Sequence, residues 1–211
     1  MIEEIRRAID SGKYETDIYL QFTKFQQQEG CLTLICSIYT EEDEKGKLVD
    51  QWLIECLDFE EYRIESFISY EQEEFEFTDD HPYLWDYQKS FTELYFRGEA
   101  VHVKALIGAL YLKHHSITGN LIPFDQYLNT HIGNDGLDWL LSRSQGLFST
   151  APEILSEAYQ ELLVEYGFST SQLLHKETPV NKNFHLLRLG PSYVIAKEFK
   201  VVRVNIEKWI L

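Results

Sequence analysis

The residues of this chain best suited to chemistry are carboxylates, concentrated in one short stretch. Residues 71–80, here called the acidic segment, carry six acidic side chains and no basic one: Glu71, Glu73, Glu74, Glu76, Asp79 and Asp80. In a strand, Glu74 and Glu76 would share one face, with Phe75 and Phe77 on the other together with Glu71 and Glu73. Carboxylates flanked by aromatic rings can bind a basic partner. Charges on an exposed edge strand also prevent aggregation, which is the structural alternative.

Histidines next to carboxylates are the second type of candidate. His81 follows Asp79 and Asp80, and His131 lies four residues before Asp135. An imidazole close to a carboxylate can act as a general base, so these residues are the catalytic candidates for a hydrolase with a pocket between sheet and helices. Turns built from aspartate, proline and glycine contain the same residue types without any chemistry.

The sequence lacks the common motifs for nucleotides, nucleophilic serines and metal ions. It has no glycine-rich phosphate loop, no dinucleotide fingerprint, no GxSxG and no HExxH. His114 and His115 are adjacent, so on a helix they would diverge by about 100° and could not share one ion. We therefore expect no cofactor and no metal, and a non-enzymatic interaction protein is favoured over the hydrolase.

The net charge of −16 comes entirely from the first hundred residues. Residues 1–100 contain 25 acidic and 9 basic side chains, whereas residues 101–211 contain 10 of each. Nucleic acids and anionic membranes are polyanions that such a surface would repel, so we expect neither as a partner. The asymmetry predicts a basic protein partner for the N-terminal half, with an inhibitor, immunity-type or adaptor role.

The cysteines and the apolar runs indicate the compartment. Cys31, Cys36 and Cys56 are an odd number without a CxxC pair, a pattern typical of free thiols in a reducing cytoplasm. The N-terminus lacks the regions of a secretory signal, and the longest apolar runs are far shorter than the roughly 20 residues of a membrane helix. We expect a cytoplasmic protein.

The first half of the chain has the periodicity of a sheet. A short amphipathic helix over Glu3–Asp10 precedes strands that alternate with period two and are joined by short turns, which favours an antiparallel meander. The strands are predicted at 18–22, 32–38 and 52–56, with less regular ones at 64–70 and 75–77.

Helical spacing dominates the second half. After a strand at 91–97, helices are predicted at 103–114, 124–128 and 137–141. A further helix is predicted to open at Thr150, with its apolar face between Ile154 and Leu163. Thr150 and Glu153 have the spacing of a capping box, and Gly167 is suited to end the last helix. A hairpin at 186–197 and a strand at 199–204 follow.

These patterns predict an α+β fold. The N-terminal half forms an antiparallel β-meander packed against helices of the C-terminal half, with a C-terminal β-hairpin. No linker-like segment interrupts residues 1–211, so we expect a single domain. The charge asymmetry and the change of periodicity favour an internal lobe boundary near residue 98.

Overall fold

The structure is a computed structural model that describes residues 2–11, 14, 17–41, 46–65, 68–99, 101–130, 136–177 and 183–204. Its residues cluster into two compact units: Met1–His81 with Asn183–Leu211, and Pro82–Lys182. Gly98, near the expected lobe boundary, lies within the second unit. That residues 1–211 form a single domain stays a prediction.

The first unit contains the predicted meander. Helix α1 (Glu3–Asp10) precedes strands β1 (Ile18–Gln28), β2 (Cys31–Thr40) and β3 (Lys47–Arg63), which pair antiparallel in chain order. Alternate side chains of these strands are buried, as the period-two pattern requires. The meander and α1 are confirmed, and β3 is much longer than the predicted five residues.

Four more strands complete a seven-stranded sheet. They are β4 (Tyr70–Glu71), β5 (Phe75–Thr78), β9 (His185–Leu189) and β10 (Ser192–Arg203), and the order across the sheet is β4-β1-β2-β3-β10-β9-β5. Strands β9 and β10 form the expected C-terminal hairpin. The predicted strand at 199–204 is the continuation of β10, which runs past a bulge between Ile195 and Ala196.

The seven-stranded sheet curls until its two outer strands approach each other. Laid flat, seven strands would place β4 and β5 about 29 Å apart, at about 4.8 Å per strand. In the chain, however, only a 3₁₀ turn at Gln72–Glu74 separates them. That connection spans at most about 14 Å from Glu71 to Phe75, so the sheet must curl enough to bring its two outer strands near each other. The acidic segment contains this connection.

The core of the first unit lies inside this curled sheet. Ile2, Ile5 and Ile9 of the α1 region pack with the buried side chains of the strands. Cys36 and Cys56 are fully buried among them, and burial raises the pKa of the Cys36 thiol to about 12. Burial likewise raises the pKa of Cys56, so neither thiol is a competent nucleophile.

The second unit is built on a three-stranded antiparallel sheet. Strand β6 (Phe91–Arg97) lies between β7 (Gln145–Pro152) and β8 (Ser169–Lys176). The helices of this unit are α2 (Trp85–Gln88), α3 (Val103–Thr118), α4 (Gly136–Ser142) and α5 (Glu153–Glu165). Helix α5 contacts all three strands and α3, and it covers one face of the sheet. The α+β class is therefore confirmed, with strand β6 at its predicted bounds.

Helix α5 ends as predicted but begins differently. At its C-terminus the Phe168 N–H donates to the Leu163 carbonyl at 2.9 Å and the Gly167 N–H to Val164 at 3.1 Å, the Schellman arrangement. The capping box is wrong: Thr150 lies within β7, where it pairs with Glu93. Because the strand runs directly into the helix, Pro152 is the N-cap residue and makes no side-chain capping bond.

Two further predicted elements are wrong. Residues 124–128 form turns, and Leu128 makes an isolated antiparallel bridge with Ser149 of β7. In 64–70, only Tyr70 among the described residues belongs to a strand. Strands β7 and β8 have no counterpart among the predicted elements. None of the helices in the described part of the chain has both the length and the apolar character needed to cross a bilayer.

Candidate functional site

The acidic segment is not one continuous strand. Glu71 ends β4, Glu73 and Glu74 lie in the 3₁₀ turn, and the chain returns to a strand only at Phe75. The turn changes the expected alternation: Glu71, Glu73 and Glu74 are all exposed, while Phe75 is buried in the core. The expected placement of Glu71 and Glu73 on the face of Phe75 is therefore wrong, and the carboxylates point to solvent.

Glu76 has a structural partner. It lies opposite Arg188 in the β5–β9 pairing. Both Nε and a terminal nitrogen of Arg188 donate to Glu76 Oε2, at 2.8 and 2.7 Å. Each side chain is about one-third exposed, which places the pair at the sheet surface. Glu76 thus holds β5 against β9 and differs from the other carboxylates of the segment.

Four carboxylates of the segment are exposed and lack such a partner. Glu71, Glu73, Glu74 and Asp79 form no ion pair with any residue in the described ranges. Asp80 is also exposed, and its backbone N–H donates to the Thr78 hydroxyl at 3.1 Å. Unneutralised charge at this density produces a strongly negative local potential.

A small acidic cleft lies beside the 3₁₀ turn. Its volume is about 190 Å³, and its walls include Asp17, Tyr19, Glu71 and Glu73. The pKa of the Tyr19 phenol is raised, first by the charge of Glu41, then by partial desolvation and by Asp17 and Glu71. These charges disfavour any further negative charge in the cleft, so it is suited to a cation.

The residues of this cleft outside the segment were missed from the sequence. Asp17 and Tyr19 are separated from the segment by more than 50 positions. The pairing of Tyr19 with Glu71 across β1 and β4 brings them together. The available indication was the alternation of β1, because it places Tyr19 on the face opposite the buried Ile18 and Leu20.

Of the two histidine candidates, only His81 lies in the described part of the chain. His81 is only 7% exposed, whereas Asp79 and Asp80 are exposed. Burial lowers the pKa of His81 and Arg188 opposes its protonation, while Glu76 and Asp80 act in the other direction. His81 is therefore a mostly buried, neutral group near the Glu76–Arg188 pair.

The remaining candidates, His131 and Asp135, lie outside the described residues. Within the described ranges, no group of three or more histidine, cysteine, aspartate and glutamate side chains is placed to hold a metal ion. Comparison with known proteins provides no further guide, since no family model, no curated protein and no solved structure matches this chain.

Proposed function

We propose that the acidic segment and the adjoining cleft bind a basic protein partner, in an inhibitory, immunity-type or adaptor role. The observation that carries the proposal is the state of Glu71, Glu73, Glu74 and Asp79, which are exposed and have no ion-pair partner in the described chain. Carboxylates that stabilised the fold would be neutralised as Glu76 is. Carboxylates left without a counter-charge are available for the lysines and arginines of another molecule.

The charge of the first unit supports the same partner. Met1–His81 and Asn183–Leu211 together contain 24 acidic and 12 basic residues, against 11 and 7 in Pro82–Lys182. A field of one sign attracts an oppositely charged protein over a Debye length and accelerates its association. A basic partner would therefore be steered to the first unit before any contact forms.

The size of the cleft favours a side chain over a small-molecule substrate. Its volume of about 190 Å³ is below the roughly 300–1,000 Å³ of small-molecule sites. Carboxylates next to the Tyr19 ring suit the charged end of a lysine or arginine, which gains both a charge-assisted hydrogen bond and a cation–π contact. The partner would insert one such residue here and place further basic residues along the segment.

The test compares two triple charge reversals. E71K/E73K/E74K reverses the site and leaves Glu76 with Arg188, while E157K/E161K/E165K makes the same charge change on exposed positions of α5. Each protein is used to capture partners from cells of the source organism at low and high salt, and captured proteins are identified by mass spectrometry. Association rates are then measured with the purified partner.

We expect that the wild type and E157K/E161K/E165K capture a basic protein. E71K/E73K/E74K should not capture it. Its association rate with the wild type should fall steeply as salt is added. Equal capture by both triple variants would contradict the proposal, as would partners that are acidic or insensitive to salt.

A further inference from the structure

The second unit has a groove on the face of its sheet that α5 leaves open. Gln160 of α5 forms side-chain hydrogen bonds with Thr170 and Gln172 of β8, so these two residues lie on the face of the sheet that α5 covers. The opposite face carries Tyr95 and Arg97 of β6, with neighbouring side chains from β7 and β8. A groove of about 700 Å³ lies over this face, within the size range of small-molecule sites.

The strand pairings fix which groups meet in the groove. Arg97 lies opposite Gln145 of β7 and opposite Ser169 of β8, and Tyr95 lies opposite Ser171. Guanidinium, hydroxyl and amide donors are thus presented side by side by three paired strands. Donors on neighbouring strands are held by the backbone ladder, so they need little ordering when a ligand binds.

The charge of the groove is opposite to that of the chain. Arg97 and Arg143 line it, and its described lining contains no carboxylate. Both guanidinium groups are exposed, and neither forms an ion pair with a described residue. The nearby Glu93 is already engaged, because it accepts hydrogen bonds from Tyr95 at 2.7 Å and from His175 at 3.0 Å.

Arg143 is also oriented for binding. Its guanidinium carbon lies 5.1 Å from the centroid of the Trp139 ring, within the range of a cation–π contact. Such stacking supports the guanidinium group through its face and leaves the N–H edge for an acceptor. An unpaired guanidinium edge is suited to the two oxygens of a carboxylate or a phosphate.

We propose that this groove binds a small organic anion, a phosphate or carboxylate attached to an apolar or planar body. Arg97 and Arg143 bind the anionic group, and the hydroxyls of Ser169 and Ser171 donate further hydrogen bonds. The body of the ligand lies against Tyr95 and Leu173, the apolar part of the lining. This site is independent of the acidic segment, because it is formed entirely by the second unit.

The test is an NMR titration of the full chain that follows the backbone amides. Adenosine 5′-monophosphate and uncharged adenosine test the need for the anion, and phenyl phosphate and benzoate distinguish phosphate from carboxylate. We expect saturable shifts with at least one anion, centred on Arg97, Gln145, Gly146 and Ser171. Adenosine should give none, and the stronger of phenyl phosphate and benzoate identifies the anionic group.

Two double variants locate the binding. R97Q/R143Q should weaken binding of the anion at least about tenfold, because it removes both charged donors. K197Q/K200Q removes the same charge from exposed lysines of the first unit and should bind as the wild type does. The proposal is overturned if R97Q/R143Q binds the anion as tightly as the wild type, if adenosine gives the same shifts as the anion, or if no anion gives a saturable shift. If R97Q/R143Q does not fold, the positions of the shifts in the wild type provide the test, because shifts outside the groove also overturn the proposal.

Discussion

Two side chains of the same type can have opposite roles a few positions apart. Glu76 and Glu74 are separated by one residue, yet Glu76 is held by two donors of Arg188 while Glu74 projects from a turn. The difference comes from the partner strand: β9 places an arginine opposite Glu76 and its turn opposite Glu74. Local sequence contains no information about that partner, so the prediction grouped the two carboxylates.

His114 shows the same dependence on context. It is completely buried, with Nδ1 2.7 Å from the Tyr159 hydroxyl and Nε2 2.8 Å from the Ile122 carbonyl oxygen. Because a carbonyl oxygen can only accept, Nε2 carries the proton and Nδ1 accepts from Tyr159. The neutral imidazole therefore satisfies both partners, and protonation would add a second donor facing a hydroxyl.

Replacing His114 by glutamine should flatten the dependence of stability on acid pH. Burial, and to a smaller degree His115, lowers the pKa of His114 below its ordinary 6.5. As the pH falls, the unfolded chain therefore binds the proton before the folded protein does. The contribution of neutral His114 to the unfolding free energy is complete above about pH 6.5 and is lost as the pH falls below that value. H114Q should reduce the slope of unfolding free energy against pH by up to about 1.4 kcal/mol per unit.

The measurement is urea unfolding of each protein between pH 5 and pH 7.5, at closely spaced values. H115Q is the control for losing a histidine from the same helix. An unchanged slope in H114Q would show that His114 is not the group that binds the proton.

At the level of elements, the curled sheet depends on the contact between a turn and a ring. Gly190, in the β9–β10 turn, has φ +56°, and its N–H donates to the Glu74 carbonyl oxygen. A Cβ on Gly190 would overlap the ring of Tyr70 in β4. The turn between β9 and β10 thus packs directly on β4 and on the 3₁₀ turn that follows it.

Gly190→Ala should cost more than the same change at Gly30. Both glycines have positive φ, at which alanine costs about 1–2 kcal/mol. Gly30 has no atom within 4 Å of the added Cβ, whereas Gly190 meets Tyr70. We expect G190A to lower the unfolding free energy by about 2–4 kcal/mol and G30A by about 1 kcal/mol.

Denaturant unfolding in a Tyr70→Ala background isolates the contact with the ring. There the cost of G190A should fall to that of G30A, because only the backbone term remains. Equal costs of G190A and G30A in the wild-type background would mean that Tyr70 moves aside freely.

Elements were predictable where their own residues specify them. The meander alternates strongly and was expected from that pattern, while β6 was expected as a short strand that ends before Gly98. Strand β7 was missed because its pairing with β6 contains a bulge between Leu94 and Tyr95, which breaks the alternation. Strand β8 is largely exposed and polar, so it lacks the apolar period of a buried strand.

The candidate site was predictable only as a set of charges. The acidic segment was evident in the sequence, but the turn within it and the cleft beside it depend on β4 pairing with β1 and β5 with β9. These contacts join residues about 50 and 110 positions apart, and nothing in the local pattern encodes them. The groove with Arg97 and Arg143 depends in the same way on three strands, two of which were missed.

For the whole molecule, a binding role for the acidic segment implies a cost in stability. Carboxylates without counter-charges repel one another and the rest of the first unit, which favours the unfolded chain. E71K/E73K/E74K should therefore melt above the wild type at low salt, by roughly 1–3 °C. The gain should vanish at high salt, where these interactions are screened.

Thermal unfolding followed by circular dichroism at two salt concentrations measures this effect. The α5 reversal E157K/E161K/E165K reports the effect of the same charge change in the second unit. A lower melting temperature for the site variant would indicate that Glu71, Glu73 and Glu74 stabilise the fold.

The path of the chain through the first unit also determines an order of events during synthesis. Strand β3 pairs with β10 from Trp52 to Arg63, and Arg63 is 130 positions from its partner Tyr193. All of Pro82–Lys182 is translated between them. During translation, β3 therefore keeps an unpaired edge until β10 has been synthesised, which is after the whole second unit has been synthesised. The first unit is exposed to misassembly for that interval.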